Sequence, residues 1–132
     1  MPRCEATGRR FVPFAVVGAG GFAVQMIAFE LLTHAGWPLM LATAASVETA
    51  VAHNFAWHER WTWRDRTEGG AGWPRRLAAF VASTAMTSLA GNLVFVTLFA
   101  GLIAADPIVL AATAVGATAL VHFVVADRLV FP

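Results

Sequence analysis

Two arginines, Arg60 and Arg128, occupy the same place in two copies of a ten-residue pattern. The copies are residues 54–63, Asn-Phe-Ala-Trp-His-Glu-Arg-Trp-Thr-Trp, and residues 122–131, His-Phe-Val-Val-Ala-Asp-Arg-Leu-Val-Phe. Both have Phe at the second position, an acid at the sixth, Arg at the seventh and an aromatic residue at the tenth. A guanidinium group stays charged and presents a planar fork of donors that suits a phosphate. The pattern therefore indicates two equivalent anion contacts.

Uncharged hydrogen-bonding groups, Asn54 and His122, stand at the first position of the two copies. Because they lie six residues before the arginines, we expect them to supply neutral hydrogen bonds deeper in the same site. Two simpler roles for the arginines remain open. Each arginine could pair with the acid just before it, or it could extend to anionic lipid at the membrane surface.

A second repeat precedes the first in each half of the chain. Arg9-Arg10-Phe11-Val12-Pro13-Phe14 opens the first half, and Arg75-Arg76-Leu77-Ala78-Ala79-Phe80 opens the second. Each half is therefore an Arg-Arg entrance, a two-helix hairpin and an exit segment, the name used here for residues 54–63 and 122–131. Arg10 and Arg76 are the entrance arginines expected to contact substrate.

The amino-acid composition is that of a membrane protein. Of 132 residues, 58% are hydrophobic and 13% are charged, against about 25% charged in soluble domains. The mean hydropathy is +0.67 and the formal net charge is +1. Four largely apolar stretches are as long as the 20 or so residues that a membrane helix needs. We predict spans at about residues 11–33, 38–57, 77–105 and 107–126, with a loop at 58–76.

The distribution of arginine predicts the topology. All nine basic residues are arginines, and they lie in the N-terminal segment, the 58–76 loop and the C-terminal tail. The two short connections between paired spans contain none, so the positive-inside rule places both termini and the 58–76 loop in the cytoplasm. The first apolar run is longer than a signal-peptide core, and we expect it to be retained as a helix. The sequence thus predicts an all-α membrane protein of four transmembrane helices, built as two parallel two-helix repeats in one membrane domain.

Two polar residues fall near the middle of predicted spans. Glu48 lies where an ionised carboxylate costs roughly 2.5–3.5 kcal/mol, so we expect it to face the helix bundle or a polar cavity. It is a candidate for proton coupling or for binding a sugar hydroxyl, and a hydrogen bond between helices is the structural alternative. Asn92 is a candidate site residue of the same kind, with interhelical bonding as its simpler role.

Small residues and tryptophans complete the pattern. Small residues recur every three or four positions within the spans, as in helices that pack closely in lipid. These rows are Ala15, Gly18 and Gly21; Ala42, Ser46 and Ala50; Ser83, Thr87 and Gly91; and Ala112 and Gly116. The rows suit packing within one chain or between subunits. The five tryptophans flank the spans and are expected in the interfacial belt.

These features resemble the GtrA-like proteins, a family of small four-span bacterial membrane proteins linked to cell-surface polysaccharide synthesis. The resemblance covers Arg10 to Phe131 and rests on the Arg-Phe entrance with Val17-Gly18 and on exits of the form Asn-Phe-x-x-x-x-Arg-x-x-aromatic. The second exit departs from it, with His122 where the family usually has Asn. The first has His58-Glu59 where polar or basic residues are common.

The resemblance implies a translocator or handler of polyprenyl-phosphate-linked sugars, which passes them across the inner (cytoplasmic) membrane to a glycosyltransferase. Expected partners are that sugar lipid, membrane lipids, a membrane glycosyltransferase and a second copy of the chain in a homodimer or larger homo-oligomer. Two alternatives stay open, a small proton-coupled multidrug-type exporter that uses Glu48 and a noncatalytic subunit of a glycosyltransferase. The sequence has no enzyme motif, and we expect no enzymatic activity, cofactor, metal site or nucleic-acid partner. The single cysteine, Cys4, is expected to have no role.

Overall fold

The computed structural model describes residues 2–67, 72–101 and 107–132, and these are almost entirely helical, without a strand. The helices are α1 (Pro2–His34), α2 (Leu39–Trp57), α3 (Arg64–Thr67), α4 (Trp73–Gly101) and α5 (Pro107–Val125). A five-residue π-helical turn follows α2 at His58–Thr62, and another follows α5 at Ala126–Val130. The predicted all-α class is confirmed, and α2 and α5 nearly coincide with predicted spans.

The chain divides into two compact units, Met1–Ala71 and Gly72–Pro132. In the first unit α1 packs against α2, and in the second α4 packs against α5. Each pair is followed by its π-helical turn, so the division falls where the sequence repeat predicts it. That the two units form one membrane domain stays a prediction.

The turn between α1 and α2 is set by Gly36. Its φ is +81°, a left-handed conformation that glycine adopts without steric cost. The Trp37 N–H donates to the Leu32 carbonyl at 3.1 Å, and the Gly36 N–H donates to the Thr33 carbonyl at 3.0 Å. This is the Schellman arrangement, which satisfies carbonyls at the end of a helix. It lets α2 begin at Leu39, directly after Pro38.

In the first unit, the contact between helices uses the small-residue row of α2. Ala42, Ser46 and Ala50 are all buried. Their spacing of four places them on one helix face. Ser46 meets its hydrogen-bonding need within α2, because its hydroxyl donates to the Thr43 carbonyl at 2.8 Å. The predicted packing role of this row is confirmed.

In the second unit, α4 supplies the row. Ser83 and Thr87 are buried, and a Cβ on Gly91 would overlap the side chain of Thr118 on α5. The other predicted rows are mostly exposed. Ala112 and Gly116 are exposed. In the first unit, Ala15 and Gly18 are exposed as well, while Gly21 is buried.

The outward surface of the long helices is apolar. Met40, Leu89 and Val115 are 85%, 73% and 69% exposed. Within the described residues, Gly8–His34 and Ala112–Val130 are long and apolar enough to cross a membrane. Lipid tails are as apolar as these side chains, so a bilayer accommodates a surface that water would not.

Candidate functional site

The two exit segments share a backbone geometry as well as a sequence. In each, the α-helix continues into a π-helical turn, and the aromatic residue after that turn closes it. The Trp63 N–H donates to the His58 carbonyl, and the Phe131 N–H donates to the Ala126 carbonyl, both at 2.9 Å. Each bond spans five residues, which is the π-helical spacing. The repeated residues therefore produce the same uncommon local structure twice.

One face of each π-helical turn packs inward. In the first turn His58 and Thr62 are buried, and in the second Ala126 and Val130 are buried. The closing aromatic residues are also buried: Trp63 is 0% exposed and Phe131 is 1% exposed. The expectation that Trp63 lies in the interfacial belt is therefore wrong. Its indole belongs to the core of its unit, whereas each of the other four tryptophans is about half exposed.

The arginines face the other way. Arg60 and Arg128 are exposed, each between two buried positions of its turn. Among the described residues, neither arginine forms an ion pair. Pairing with the preceding acid, one of the simpler roles considered for them, is thus absent from this structure. Asp127 is buried, at 8% exposed. The guanidinium groups are consequently accessible to an external anion.

In the first unit, an aromatic cluster holds the turn against α1. The ring of Phe14 stacks on the imidazole of His58, with centroids 5.1 Å apart and an interplanar angle of 10°. Trp63 meets both rings edge to face, at 6.1 Å from Phe14 and 5.0 Å from His58. The Nδ1 atom of His58 lies 3.0 Å from the Thr62 hydroxyl oxygen. These contacts fix the backbone on both sides of Arg60.

In the second unit, Phe80 is the counterpart of Phe14. Its ring meets the imidazole of His122 edge to face at 5.4 Å. The His122 Nδ1 lies 3.0 Å from the Thr87 hydroxyl oxygen, and that hydroxyl also lies 2.8 Å from the Ser83 carbonyl, to which it donates. The Thr87 hydroxyl thus lies within hydrogen-bond distance of α5 as well as of its own helix.

Asn54 occupies the position of His122 in the first unit. Its side chain is half-buried and packs on Gly21, which stands at the position of Thr87. Asn54 and His122 therefore make equivalent contacts to the first helix of their own pair. These contacts give both residues a structural role, in which they link the two helices of their pair. Their predicted bonds to substrate remain a prediction.

The entrance arginines are partly buried. Arg10 forms an ion pair with Asp65, with Nη2 and the carboxylate Oδ2 atom 2.5 Å apart. Arg76 is half-buried at the start of α4, near Gly72. No pattern in the sequence singles out Asp65. Its partner lies 55 residues away along the chain, and local spacing carries no signal for such a pair.

The segment after the first π-helical turn lies in the predicted loop at residues 58–76 and contains helical structure. Residues Arg64–Thr67 form the helical turn α3. The Thr67 hydroxyl donates to the Glu59 carbonyl at 3.0 Å, and the Arg66 N–H donates to the Trp63 carbonyl at 2.9 Å. The stretch from residue 68 to residue 71, included in the same expectation, lies outside the described residues.

The two mid-span candidates have different outcomes. Glu48 is exposed within its own unit, on the face of α2 opposite the buried Ser46, and that it faces the helix bundle or a polar cavity stays a prediction. Asn92 lies outside the residues whose side chains the structure describes. No described group of three or more His, Cys, Asp or Glu residues could hold a metal ion.

Together, the apolar helices and the repeated exits define a class: an all-helical membrane protein made of two similar helix pairs, each followed by an arginine-bearing π-helical turn. Residues 13–131 match the family of the GtrA/DPMS transmembrane domain, and the chain belongs to that family. The resemblance inferred from the entrances and exits is thereby confirmed.

A curated relative points in the same direction. Over 60 residues, the chain is 33% identical to a dolichol-phosphate mannosyltransferase from Pyrococcus furiosus. The matched part is 46% of this chain and 17% of the relative, so the similarity covers a small part of that enzyme.

Proposed function

We propose that this protein translocates or presents a polyprenyl-phosphate-linked sugar across the inner membrane, for use by a glycosyltransferase on the other side. The proposal includes four membrane spans with both termini in the cytoplasm, as the arginine distribution predicts. It assigns no chemical step to the chain itself. Family membership and the similarity to a dolichol-phosphate mannosyltransferase support a role with this class of lipid.

The observation that carries the proposal is the pair of equivalent arginines at the exits. Arg60 and Arg128 are exposed on π-helical turns whose opposite faces are buried. A rigid turn holds a guanidinium in place without ordering a flexible loop, so less entropy is lost when an anion binds. Each of these groups, at the proposed cytoplasmic end of α2 or of α5, suits the phosphate of a lipid whose tail remains in the bilayer.

A second candidate is a noncatalytic subunit that holds a glycosyltransferase at the membrane. The match to a mannosyltransferase favours this role. The matched region is only 17% of that enzyme, so a segment like this chain is combined there with a much longer remainder. The two candidates differ in whether the isolated chain moves lipid. We also propose a homodimer or larger homo-oligomer, because four short helices enclose little space for a sugar.

Reconstitution separates the candidates. The purified chain is placed in liposomes that carry a fluorescent polyprenyl-phosphate sugar, and an impermeant quencher reports how fast the lipid crosses. We expect transfer above that of empty liposomes, reduced strongly by the double change Arg60→Ala and Arg128→Ala and little by Arg64→Ala. No transfer by a correctly folded chain, with recovery when a glycosyltransferase binds it, would favour the subunit role.

A further inference from the structure

The ion pair between Arg10 and Asp65 joins groups in unlike surroundings. The Arg10 side chain is only 14% exposed, whereas the Asp65 side chain is 63% exposed. A carboxylate that is mostly in water loses little when it leaves its partner. A largely buried guanidinium still requires an anion close by. The pair is therefore suited to an exchange in which Arg10 stays and its anion changes.

The position of Asp65 is controlled by the end of the first exit segment. Asp65 lies in α3, which the Thr67 hydroxyl ties to the Glu59 carbonyl and the Arg66 N–H ties to the Trp63 carbonyl. The carboxylate is thus delivered to Arg10 by a short tether of one helical turn. Movement of that turn would release the carboxylate while the buried Trp63 stayed in place.

Arg10 belongs to the same junction as Arg60. Arg10 and Phe14 are four residues apart on α1 and share a face of that helix. Phe14 stacks on His58, and His58 begins the π-helical turn that carries Arg60. The junction between α1 and this turn therefore brings an entrance arginine and an exit arginine to the same end of the helix pair.

We propose that Asp65 is an internal competitor for a phosphate monoester at Arg10. In the unliganded protein its carboxylate occupies the guanidinium, and the phosphate of a polyprenyl monophosphate displaces it. A phosphate carries more charge than a carboxylate and accepts the same planar fork of donors, so it can win the exchange. This proposal rests on the proposed function and adds a displacement step for the carrier lipid without its sugar, because only in that form is the phosphate a monoester. The lipid, rather than free phosphate, is the expected source because Arg10 lies near the start of the apolar stretch Gly8–His34.

The test is a double-mutant cycle in detergent micelles, with binding of a short-chain polyprenyl monophosphate measured by native mass spectrometry or thermophoresis. Asp65→Asn should tighten binding about two- to fivefold, the range expected when one partly exposed ion pair no longer competes. The same change in an Arg10→Gln background should have no effect, because the competition acts through Arg10. Glu68→Gln removes an equal charge three residues along the chain and serves as the control for general electrostatics.

Three results would overturn the displacement. They are unchanged or weaker binding by a correctly folded Asp65→Asn protein, equal tightening by Glu68→Gln, and tightening that persists without Arg10. An effect on inorganic phosphate but not on the lipid would overturn the lipid as the source. Failure of the unaltered protein to bind both this lipid and its sugar-linked form would instead reject the proposed function, so the two failures are distinguishable.

Discussion

The ring of Phe14 stacks nearly parallel on the imidazole of His58, with centroids 5.1 Å apart. Since Phe14 lies in the N-terminal half of α1 and His58 directly follows α2, this contact joins the two helices at one end of the first pair. Trp63 completes the cluster by meeting both rings edge to face. Positioning of Arg60 thus depends on aromatic packing, not on an ion pair of its own among the described residues.

The first prediction concerns that cluster. Trp63→Ala should lower the free energy of unfolding by about 3 kcal/mol, because it empties a fully buried site. Trp61→Ala is the matched control. That side chain is 49% exposed, and its loss should cost less than about 0.5 kcal/mol. Heating in detergent followed by size-exclusion chromatography measures both. Equal losses would mean that Trp63 is not a core residue.

The second prediction concerns the approach of α1 to α2. Gly21→Ala should destabilise the protein by about 1–3 kcal/mol, because its methyl group would overlap the Asn54 side chain. Gly18→Ala meets nothing within 4 Å and should be neutral or slightly stabilising. The same thermal assay applies. Asn54→Ala should restore stability in the Gly21→Ala protein, and absence of this rescue would contradict the proposed overlap.

Much of the fold is predictable from the sequence because hydropathy and turn chemistry act locally. The limits of α2 follow from Pro38 at its start and from the polar exit residues at its end. The division at about residue 71 follows from the repeat. The π-helical turns are not predictable in this way. No residue type encodes that geometry by itself, and in this chain both turns are followed by a buried aromatic residue, Trp63 or Phe131.

The candidate site, like the fold, was only partly predictable from the sequence. The outward direction of Arg60 and Arg128 agrees with the sequence reasoning, which placed them at equivalent positions near the membrane surface. The orientation of Glu48 toward the bundle stays a prediction, because the cost of a carboxylate in lipid indicates that it must be covered but not which surface covers it. Asp65 could not be identified from the sequence, because its role depends on a contact with a distant residue.

The third prediction tests the topology. In a Cys4→Ser background, Gly8→Cys and Ala35→Cys should be labelled by an impermeant maleimide from opposite sides of the membrane. Both positions are exposed, so access to the reagent depends on the side. Cysteines at Gly70 and Asp106, which lie outside the described residues, should divide in the same way, with Gly70 on the cytoplasmic side. Labelling of Gly70 and Asp106 from the outside alike would reject the four-span arrangement.

The fourth prediction concerns Glu48. If its carboxylate couples transport to protons, Glu48→Gln should abolish the pH dependence of sugar-lipid transfer in reconstituted liposomes. Thr49→Val, a change at the exposed neighbouring position, is the control for altered packing. Unchanged transfer with an unchanged pH profile would exclude proton coupling at this residue. Loss of resistance to toxic organic cations in cells would instead favour the exporter alternative.

The last prediction compares four arginines that differ in setting. Arg60→Ala or Arg128→Ala should weaken binding of a polyprenyl phosphate by about ten- to a hundredfold, because charge-assisted contacts to phosphate contribute of the order of 1.5–3 kcal/mol each. The corresponding lysine variants should recover only part of the affinity, since an ammonium group keeps the charge but loses the planar fork.

Arg64→Ala and Arg66→Ala are the controls, because these side chains belong to α3 and not to a repeated exit position. Their loss should matter far less, and at fixed ionic strength the general attraction between charges is screened equally in every variant. The measurement is binding of a polyprenyl phosphate to purified, correctly folded variants. Equal and small losses at all four arginines would reduce the site to general attraction for anionic lipid. Unequal losses confined to Arg60 and Arg128 would show that the repeated π-helical turns are the contact.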